Sequence, residues 1–568
     1  MKQMRGPTAP KDPTKKRPSL YIMLDRAIAG MPAQDGSCRD CNFMEGRLIE
    51  QVSGICGDVD PDILKLLEHM DGFVKLVHSI GVSITAMQEE EKGESVEFTM
   101  QCYGKVDKYA TGTNVRAVCP CDGEEVTILV SESGINEKDD IIGAFLFNFL
   151  GKCKSATVTL KFYLNDGYEV PEQEVDPPVD FESEAYRNMI GRSLLGVGNA
   201  LRLKKAIEKA KRGEDVVIAY IGGSITQGAG AKPIHTKSYA YLSYQGFCDL
   251  FAKESGANVS FVKAGVGGTP SELGVIRYEK EVTAYGEVQP DIVIVEFAVN
   301  DEGDETKGIC FESLVRKIAN APNAPAVILN FAVFMNEGNL EDRLVPIGEH
   351  YDLPMVSVKA AMVPQFRKDT VMTKRQYFYD IYHPANAGHR VMADCLIQLF
   401  QKADEAEMPP ADSDFSKVPL LGSEFEKIEL VDAENIDAYG KVTQNGFDFT
   451  DQELQYVERD ENNFSTPEFE NGWAKAFGTK EAVFEMKLAC RNIILVSKDS
   501  GNVQFGKADI YVDGVLVRTA DPLANGWDHC NPQIILNECG SGEHTVKIVM
   551  HPGDEEKRFT ILGFGVTR

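Results

Sequence analysis

Short, largely apolar runs recur through the middle of the chain. The first occupies residues 216–221, a β-branched run that breaks at Gly222 and Gly223 before Ser224. Four further runs of this kind lie at residues 259–262, 291–297, 326–333 and 355–358. Helical stretches such as residues 311–320 separate the runs. Continuous apolar runs that alternate with helices predict a doubly wound α/β domain with a parallel sheet.

The pattern changes on both sides of this region to alternation of apolar and polar positions. Alternating segments lie at residues 96–102, 126–130 and 156–162, and again at 510–517 and 545–550. Within the fourth of these segments Asp513 and Gly514 form a hairpin signal. Such segments predict two flanking β-sandwich domains. By contrast, the helical spacing of apolar residues from 60 to 80 predicts a helix.

Proline-bearing stretches suggest where these parts meet. Residues 168–181 and 408–412 have the composition of linkers. We therefore predict an N-terminal segment without a clear pattern, a β-rich accessory domain with its linker, a catalytic α/β domain and a C-terminal β-sandwich. Their predicted boundaries are residues 1–70, 71–180, 185–407 and 418–568.

Charge and cysteine content narrow the class of partner. The chain of 568 residues has 59 basic and 87 acidic residues, a formal net charge of -28. This surface repels nucleic acid and anionic membranes, so a neutral carbohydrate is a better partner. Asp25 and Arg26 interrupt the apolar run near the N-terminus, and thirteen dispersed cysteines fit a reducing compartment. We therefore expect a cytoplasmic protein; the sequence leaves open whether it forms a homo-oligomer.

Two cysteine pairs require a separate interpretation. Cys38 and Cys41 have the spacing of half a zinc site, and Cys119 and Cys121 are close together. Neither pair has a second spaced pair or two neighbouring histidines, so ordinary thiols are the favoured interpretation. We expect no metal and no cofactor.

Ser224 is the first candidate for chemistry. A hydroxyl just after a buried strand lies at the carboxyl edge of the sheet, where open α/β folds bind ligands. The alternative is that Ser224 only caps the next helix. This stretch alone does not decide between a nucleophile and a cap.

Residues further along the chain favour the interpretation of Ser224 as a nucleophile over that of a helix cap. Asp380 and His383 can form an orienting carboxylate and a general base, because a loop between them lets the carboxylate reach one ring nitrogen. Backbone N–H groups of Gly268 and Ser224 and the side-chain amide of Asn300 can stabilise an oxyanion. Arg277 has acidic neighbours and is interpreted as a charge on a helix surface.

The order of these residues resembles the SGNH hydrolases, the GDSL esterase/lipase superfamily. The four matching blocks are residues 222–226, 264–270, 297–301 and 380–384, and the resemblance covers about residues 190–405. It implies a flavodoxin-like three-layer α/β/α domain, here flanked by N-terminal and C-terminal jelly-roll-like β-sandwich domains. It also implies Ser224 as nucleophile, Gly268 and Asn300 as oxyanion donors, Asp380 as orienting residue and His383 as base.

Three departures from the family pattern point to a subgroup. Gly223 replaces an aspartate, Ala298 replaces a glycine, and Lys263 stands where asparagine is common. With these changes the blocks are most similar to those of bacterial carbohydrate esterases.

The function expected from residues and resemblance together is removal of O-acetyl groups through an acyl-enzyme intermediate. The expected substrates are acetylated oligosaccharides derived from plant xylan or mannan. One alternative is a sugar O-acyltransferase that uses the same serine, and another is a non-catalytic glycan-binding protein. Trp473 and Trp527 lie in the predicted C-terminal domain, where they fit either sugar stacking or a core.

Overall fold

A computed structural model describes residues 4–5, 11, 16–32, 37–172, 176–253, 256–458 and 465–568. The chain divides into two compact units. The first consists of Met1–Phe181, Gly230–Ser238 and Lys368–His389, and the second of Glu182–Ala229, Tyr239–Arg367 and Arg390–Arg568. The predicted domain boundaries stay predictions.

The N-terminal β-module, residues 4–164, consists mainly of antiparallel strands. Its strands are β1 (Met4–Arg5), β2 (Ser19–Ala29), β3 (Met31–Pro32), β4 (Cys38–Phe43), β5 (Val77–Ala86), β6 (Ser95–Gly104), β7 (Asn114–Pro120), β8 (Val126–Leu129), β9 (Asp139–Phe149) and β10 (Ser155–Leu164). Its helices are α1 (Leu48–Cys56), α2 (Pro61–Lys65) and α3 (Met70–Leu76). Two five-stranded sheets result, with orders β1-β8-β5-β10-β2 and β3-β4-β9-β6-β7.

Both sheets contribute to one hydrophobic core, which explains the alternating sequence pattern. Phe98 and Phe147 come from one sheet and Phe162 from the other, and all three are fully buried. The segment without a clear pattern supplies β2 and β4, which pair with β10 and β9. The single helix predicted from 60 to 80 is wrong. His69 has an extended backbone that separates α2 from α3, and the β-branched residues from Val77 onwards form β5.

The central part of the chain forms an α/β arrangement. Its strands are β11 (Leu194–Gly196), β12 (Val216–Gly222), β13 (Val259–Gly265), β14 (Ile292–Glu296), β15 (Ala326–Phe331) and β16 (Met355–Ser357). The helices are α4 (Glu184–Gly191), α5 (Leu201–Arg212), α6 (Ser224–Gln227), α7 (Ile234–Lys237), α8 (Tyr239–Phe251), α9 (Ser271–Glu281), α10 (Ile309–Ala319), α11 (Glu341–His350), α12 (Val358–Arg367), α13 (Lys374–Tyr377) and α14 (Asn386–Glu405).

The predicted sheet is confirmed, and it is mixed rather than wholly parallel. Its order is β11-β16-β15-β14-β12-β13, and β11 alone pairs in the antiparallel direction. Side chains alternate between faces along β12. Ala219 and Ile221 join a core with α9 and α10, whereas Tyr220 bonds to Ser243 of α8, so helices cover both faces.

The C-terminal β-module, residues 429–567, is antiparallel. Its strands are β17 (Glu429–Val431), β18 (Gly440–Asn445), β19 (Tyr456–Glu458), β20 (Ser465–Pro467), β21 (Trp473–Lys475), β22 (Val483–Asp499), β23 (Ala508–Val512), β24 (Val515–Ala520), β25 (His529–Met550) and β26 (Phe559–Thr567). Eight of them form one sheet, and β19 and β20 pair separately. Short 3₁₀ turns of the described residues are Glu89–Glu91, Val130–Glu132, Ala284–Gly286, Asn300–Glu302 and, within this module, Ile436–Ala438.

Turn chemistry and burial agree with the sequence pattern in this module. Asp513 and Gly514 have φ angles of 51° and 81°, the left-handed pair that a tight hairpin requires, so the β23–β24 hairpin is confirmed. Trp473 is buried in the core, whereas Trp527 is 45% exposed. The assignment of either β-module to the jelly-roll class stays a prediction.

Two further sequence observations can be placed on the described residues. Cys38 and Cys41 lie on β4, and no group of three or more His, Cys, Asp or Glu side chains suited to a metal occurs in the described part of the chain. Among the helices described here, none has the length and apolarity needed to cross a bilayer.

Candidate active site

The parallel register of the second unit brings three predicted site residues to one edge of the sheet. Gly222, at the end of β12, pairs with Gly265 of β13 and with Glu296 of β14. Ser224 follows β12 by two residues, and residues 266–270, here called the glycine loop, follow β13. Asn300 begins the turn after β14. The carboxyl ends of three adjacent strands therefore present a hydroxyl, a glycine-rich backbone and an amide side by side.

Ser224 is not the cap of the helix that follows it. The N-cap position of α6 is Gly223, and Ser224 is the first helical residue. The Ser224 residue is 9% exposed. A serine at this strand-to-helix turn presents its hydroxyl at the sheet edge, as a nucleophile requires.

Packing against Asn300 explains why glycine stands at position 223. A Cβ atom added to Gly223 would lie 1.8 Å from Oδ1 of Asn300, far inside van der Waals contact. The amide of Asn300 thus occupies the space that an aspartate side chain would need. The departure from the family pattern at Gly223 is therefore a consequence of how closely the serine turn and Asn300 approach.

The glycine loop lies directly against Ser224 and against the C-terminal β-module. A Cβ on Gly267 would be 3.8 Å from Cβ of Ser224. Gly268 has a φ angle of 74°, and a Cβ there would be 2.6 Å from the ring of Trp527. Both the left-handed backbone and the approach of this indole require glycine at position 268.

Arg277 lies in the interior of the second unit, so its interpretation as a surface charge is wrong. Arg277 is fully buried on α9, and its Nη2 donates to the carbonyl oxygen of Gly222 at 2.8 Å. Burial lowers the pKa of Arg277, an effect that Glu468 and Glu281 oppose. This guanidinium therefore fixes the peptide that leads into the serine turn.

Lys263 is likewise buried, with 2% of its surface exposed. Its Nζ donates to the carbonyl oxygen of Gln227 at 3.0 Å, which ties β13 to the end of α6. Lysine at this position thus supports the short helix that begins with Ser224.

Two buried carboxyl groups lie near Asn300. Burial raises the pKa of Asp301 to about 8, and the negative charge of Asp304 acts in the same direction, although the N–H of Ser271 bonds to Oδ1 at 2.7 Å. Burial also raises the pKa of Glu272 to about 9, with Asp304 and Asp301 as further causes. Both carboxyls therefore favour the protonated, neutral form around pH 7.

The first unit contains the other two predicted site residues, in residues 378–384, here called the histidine loop. Nδ1 of His383 lies 2.8 Å from Oδ2 of Asp380. Oδ1 of Asp380 accepts the backbone N–H groups of Tyr382 at 2.9 Å and His383 at 2.8 Å. The loop closes through the N–H of Tyr379, which donates to the carbonyl of His383 at 2.7 Å. This geometry fixes the imidazole and leaves Nε2 as the nitrogen suited to accept a proton.

The charge of Asp380 is stabilised despite its burial. Burial by itself raises the pKa of this carboxyl, but attraction to His383, hydrogen bonds from His383 and the charge of Arg47 outweigh it. The pKa of Asp380 is consequently held well below its usual range. Arg47 approaches Oδ2 of Asp380 with Nη1 at 3.4 Å.

The N-terminal β-module supplies further cations around the histidine loop. Arg26 of β2 is buried, donates to the carbonyl of Phe378 and lies 5.7 Å from the ring centroid of Tyr379. Burial lowers the pKa of Arg26 to about 10, while Tyr379 and Asp380 oppose that shift. Asp40 of β4 forms an ion pair of 2.5 Å with Lys232, which also faces Tyr379. Sequence reasoning assigned no role at the site to Arg26, Arg47 and Asp40, because they lie more than 300 positions before the loop.

The five predicted residues thus fall in two groups. Ser224, Gly268 and Asn300 lie together in the second unit, and Asp380 and His383 bond to each other in the first. The first group offers a hydroxyl with donors suited to an oxyanion, and the second offers an oriented base. Together these are the groups that nucleophilic acyl transfer requires.

Comparisons with known proteins show what this chain is similar to. Residues 220–391 match the model of the GDSL-like Lipase/Acylhydrolase family. Among solved structures, the chain is similar to a two-domain esterase (CEX) active on acetylated mannans, with 27% sequence identity and a TM-score of 0.57. That match covers 67% of this chain and 99% of the esterase. The same esterase co-crystallized with mannopentaose gives 28% identity and a TM-score of 0.57, with 67% and 98% covered.

A more distant likeness involves a variant of Axe2, an acetyl xylan esterase from Geobacillus stearothermophilus. It has 20% identity and a TM-score of 0.26, and the match covers 33% of this chain and 95% of that one. None of the curated proteins matches the chain. Since the two-domain esterase is matched along nearly all of its length but covers 67% of this chain, about a third of this chain has no counterpart there.

Proposed function

We propose that this chain, a carboxylic ester hydrolase whose residues 220–391 match the GDSL-like lipase/acylhydrolase family, removes acetyl groups from carbohydrates. The proposed substrates are O-acetylated oligosaccharides derived from plant xylan or mannan. The observation that carries this proposal is the similarity to an esterase active on acetylated mannans, which extends over 99% of that protein. A cytoplasmic location, with imported oligosaccharides as substrates, is part of the same proposal.

In the proposed reaction Ser224 is the nucleophile. Its Oγ attacks the acetyl carbon while Nε2 of His383 accepts the hydroxyl proton, and Asp380 stabilises the resulting imidazolium. The N–H groups of Gly268 and Ser224 and the amide of Asn300 stabilise the oxyanion. The sugar oxygen leaves with the proton from His383, and the acetyl group remains on Ser224. Water then gives a proton to His383 and attacks the carbonyl carbon of the acyl group. His383 returns this proton to Oγ of Ser224 as the bond to the acyl group breaks and acetate leaves.

Two features of the chain support a carbohydrate as the substrate. Trp527 is 45% exposed beside Gly268, so a flat aromatic surface borders the proposed oxyanion site. Such a ring provides a large apolar face for stacking against a sugar. The formal net charge of -28 disfavours anionic substrates, whereas an acetylated oligosaccharide has no charge to repel.

The activity can be tested with two measurements. Ser224→Ala should abolish turnover of p-nitrophenyl acetate, whereas Ser313→Ala, which alters a buried serine on α10, should keep it. Mass spectrometry of acetylated xylan and mannan oligosaccharides should show a loss of about 42 Da for each acetyl group removed, with free acetate as product. Full activity of Ser224→Ala would contradict the assignment of the nucleophile. Intact oligosaccharides after incubation with an active enzyme would contradict the substrate class.

A further inference from the structure

Two side chains of the C-terminal β-module donate hydrogen bonds to consecutive carbonyl groups of the glycine loop. Nε2 of Gln455 donates to the carbonyl of Gly267 at 2.7 Å. Nε2 of His529 bonds to the carbonyl of Gly268 at 2.8 Å. Since a carbonyl oxygen only accepts, this nitrogen of His529 must carry a proton. Two adjacent peptide groups beside Ser224 are therefore held by a part of the chain about 190 to 260 positions away.

The bond from Gln455 acts on the peptide unit that matters for catalysis. The carbonyl of Gly267 and the N–H of Gly268 belong to one planar peptide group, so fixing the carbonyl also fixes the direction of the N–H. A hydrogen bond to the carbonyl further polarises the group and strengthens its N–H as a donor. Gln455 is itself held, because its Oε1 accepts the backbone N–H of Cys530 at 3.0 Å.

His529 fixes the other side of the same glycine. Its Nδ1 lies 3.1 Å from Oδ2 of Asp499, and Oδ1 of Asp499 accepts from Asn531 at 3.1 Å. The His529 residue is 8% exposed, so the ring has little freedom to turn away. The hydrogen bond from His529 to the carbonyl of Gly268 holds the left-handed backbone of this glycine, so the glycine loop has one well-defined conformation next to Ser224.

We infer that Gln455 and His529 are positioning residues, through which the C-terminal β-module aims the N–H of Gly268 at the developing oxyanion. The inference rests on the proposed function, because it assigns a task within that reaction. Both residues act through the glycine loop and neither needs to touch the acetyl group. The module thereby takes part in the chemical step as well as in any binding of glycan.

Variants that remove one donor and preserve shape test this inference. Gln455→Glu keeps an oxygen for the N–H of Cys530 but cannot donate to Gly267 when ionised. Gln533→Glu is the matched control, since Gln533 is a buried glutamine of β25 that donates to Ser497 at 2.9 Å, away from the loop. His529→Phe removes both ring nitrogens, and His529→Gln restores an amide donor near the position of Nε2.

The kinetic pattern should separate positioning from general damage to the fold. With p-nitrophenyl acetate at pH 8, we expect Gln455→Glu and His529→Phe to lower kcat about tenfold. That is less than the roughly 100-fold or larger loss when an oxyanion donor itself is removed. The KM should stay within about twofold, because the affected interaction forms in the transition state. Gln533→Glu should keep the wild-type kcat, and His529→Gln should recover most of it.

Each outcome decides between the alternatives. Unchanged kcat in Gln455→Glu and His529→Phe, with Ser224→Ala inactive, would overturn the positioning role and leave the esterase proposal intact. Equal losses in Gln455→Glu and Gln533→Glu, or no recovery in His529→Gln, would assign the effect to damaged structure and also overturn it. An active Ser224→Ala would instead remove the proposed function. Circular dichroism identifies any variant that fails to fold. If a variant of one pair fails, the other pair decides: Gln455→Glu is compared with Gln533→Glu, and His529→Phe with His529→Gln.

Discussion

Asp380 and Asp301 are both buried aspartates that adjoin proposed catalytic groups, yet their pKa values shift in opposite directions. Asp380 bonds to His383 and two backbone N–H groups and faces Arg47, so its pKa is lowered. Burial raises the pKa of Asp301 to about 8, and the charge of Asp304 adds to this rise although the N–H of Ser271 opposes it. Burial raises the pKa of both carboxyls, so donors and neighbouring charges decide whether that effect is overcome, as at Asp380, or reinforced, as at Asp301.

The two aspartates therefore have different tasks. A charged Asp380 can stabilise an imidazolium during proton transfer, whereas a neutral Asp301 serves the packing around α9 and the turn that begins with Asn300. Four experiments test this difference between the two aspartates.

The largest effect should come from the same substitution made at both aspartates. Asp380→Asn removes the negative charge beside His383, and we expect kcat/KM for p-nitrophenyl acetate to fall about 1000-fold or more. Asp301→Asn keeps the neutral form that the wild type favours, so its loss should stay within about tenfold. Similar losses in both variants would mean that charge is not what distinguishes these positions.

A steric change in the second unit should rank next. Gly268→Ala introduces a Cβ at a φ angle of 74° and 2.6 Å from the ring of Trp527, so the N–H of residue 268 should be displaced. We expect kcat to fall about 100-fold, the cost of a lost oxyanion donor. Gly303→Ala is the control, because its nearest neighbour would be 4.0 Å away. Wild-type turnover in Gly268→Ala would show that this N–H is not needed.

Loss of Arg47 should have a smaller effect, since its side chain is 40% exposed and water screens its charge. Arg47→Gln should lower kcat/KM about threefold at low salt, and the difference from wild type should shrink as salt screens the ion pair. Arg116→Gln, which changes an exposed arginine of β7, should have no effect. A loss that is independent of salt would indicate a packing role for Arg47 rather than a charge effect.

The last and smallest expected effect is on the pH dependence of the free energy of unfolding. Because the pKa of Asp301 is raised to about 8, only the unfolded state releases this proton between pH of roughly 4 and 8. Stability should therefore fall as pH rises through that range, and Asp301→Asn should flatten the fall. Asp380 contributes with the opposite sign, since its lowered pKa stabilises the fold above about pH 4 and the gain is lost as pH falls through the folded pKa. Denaturant unfolding at several pH values measures how the free energy of unfolding changes with pH in each protein. The same slope in wild type and Asp301→Asn would contradict the raised pKa of Asp301.

The sequence predicted those parts of the molecule that depend on local pattern. Continuous apolar runs identified the parallel strands β12 to β16, and Asp513 with Gly514 identified a hairpin. Local pattern failed where distant contacts decide. Arg277 looked like a surface charge until the fold placed it against Gly222. Gln455 and His529 belong to no motif, and their relation to the glycine loop exists only after the C-terminal β-module has folded.

Residues 368–389 share a compact unit with the N-terminal β-module, and this has a consequence for how such proteins can be shortened or recombined. An expression plasmid that begins near residue 182 would still encode Ser224, the glycine loop and Asn300. It would leave His383, the proposed base, without Arg26, Arg47 and Asp40. Exchange of this module between genes would therefore change the surroundings of the proposed base, even though none of its strands carries the proposed nucleophile.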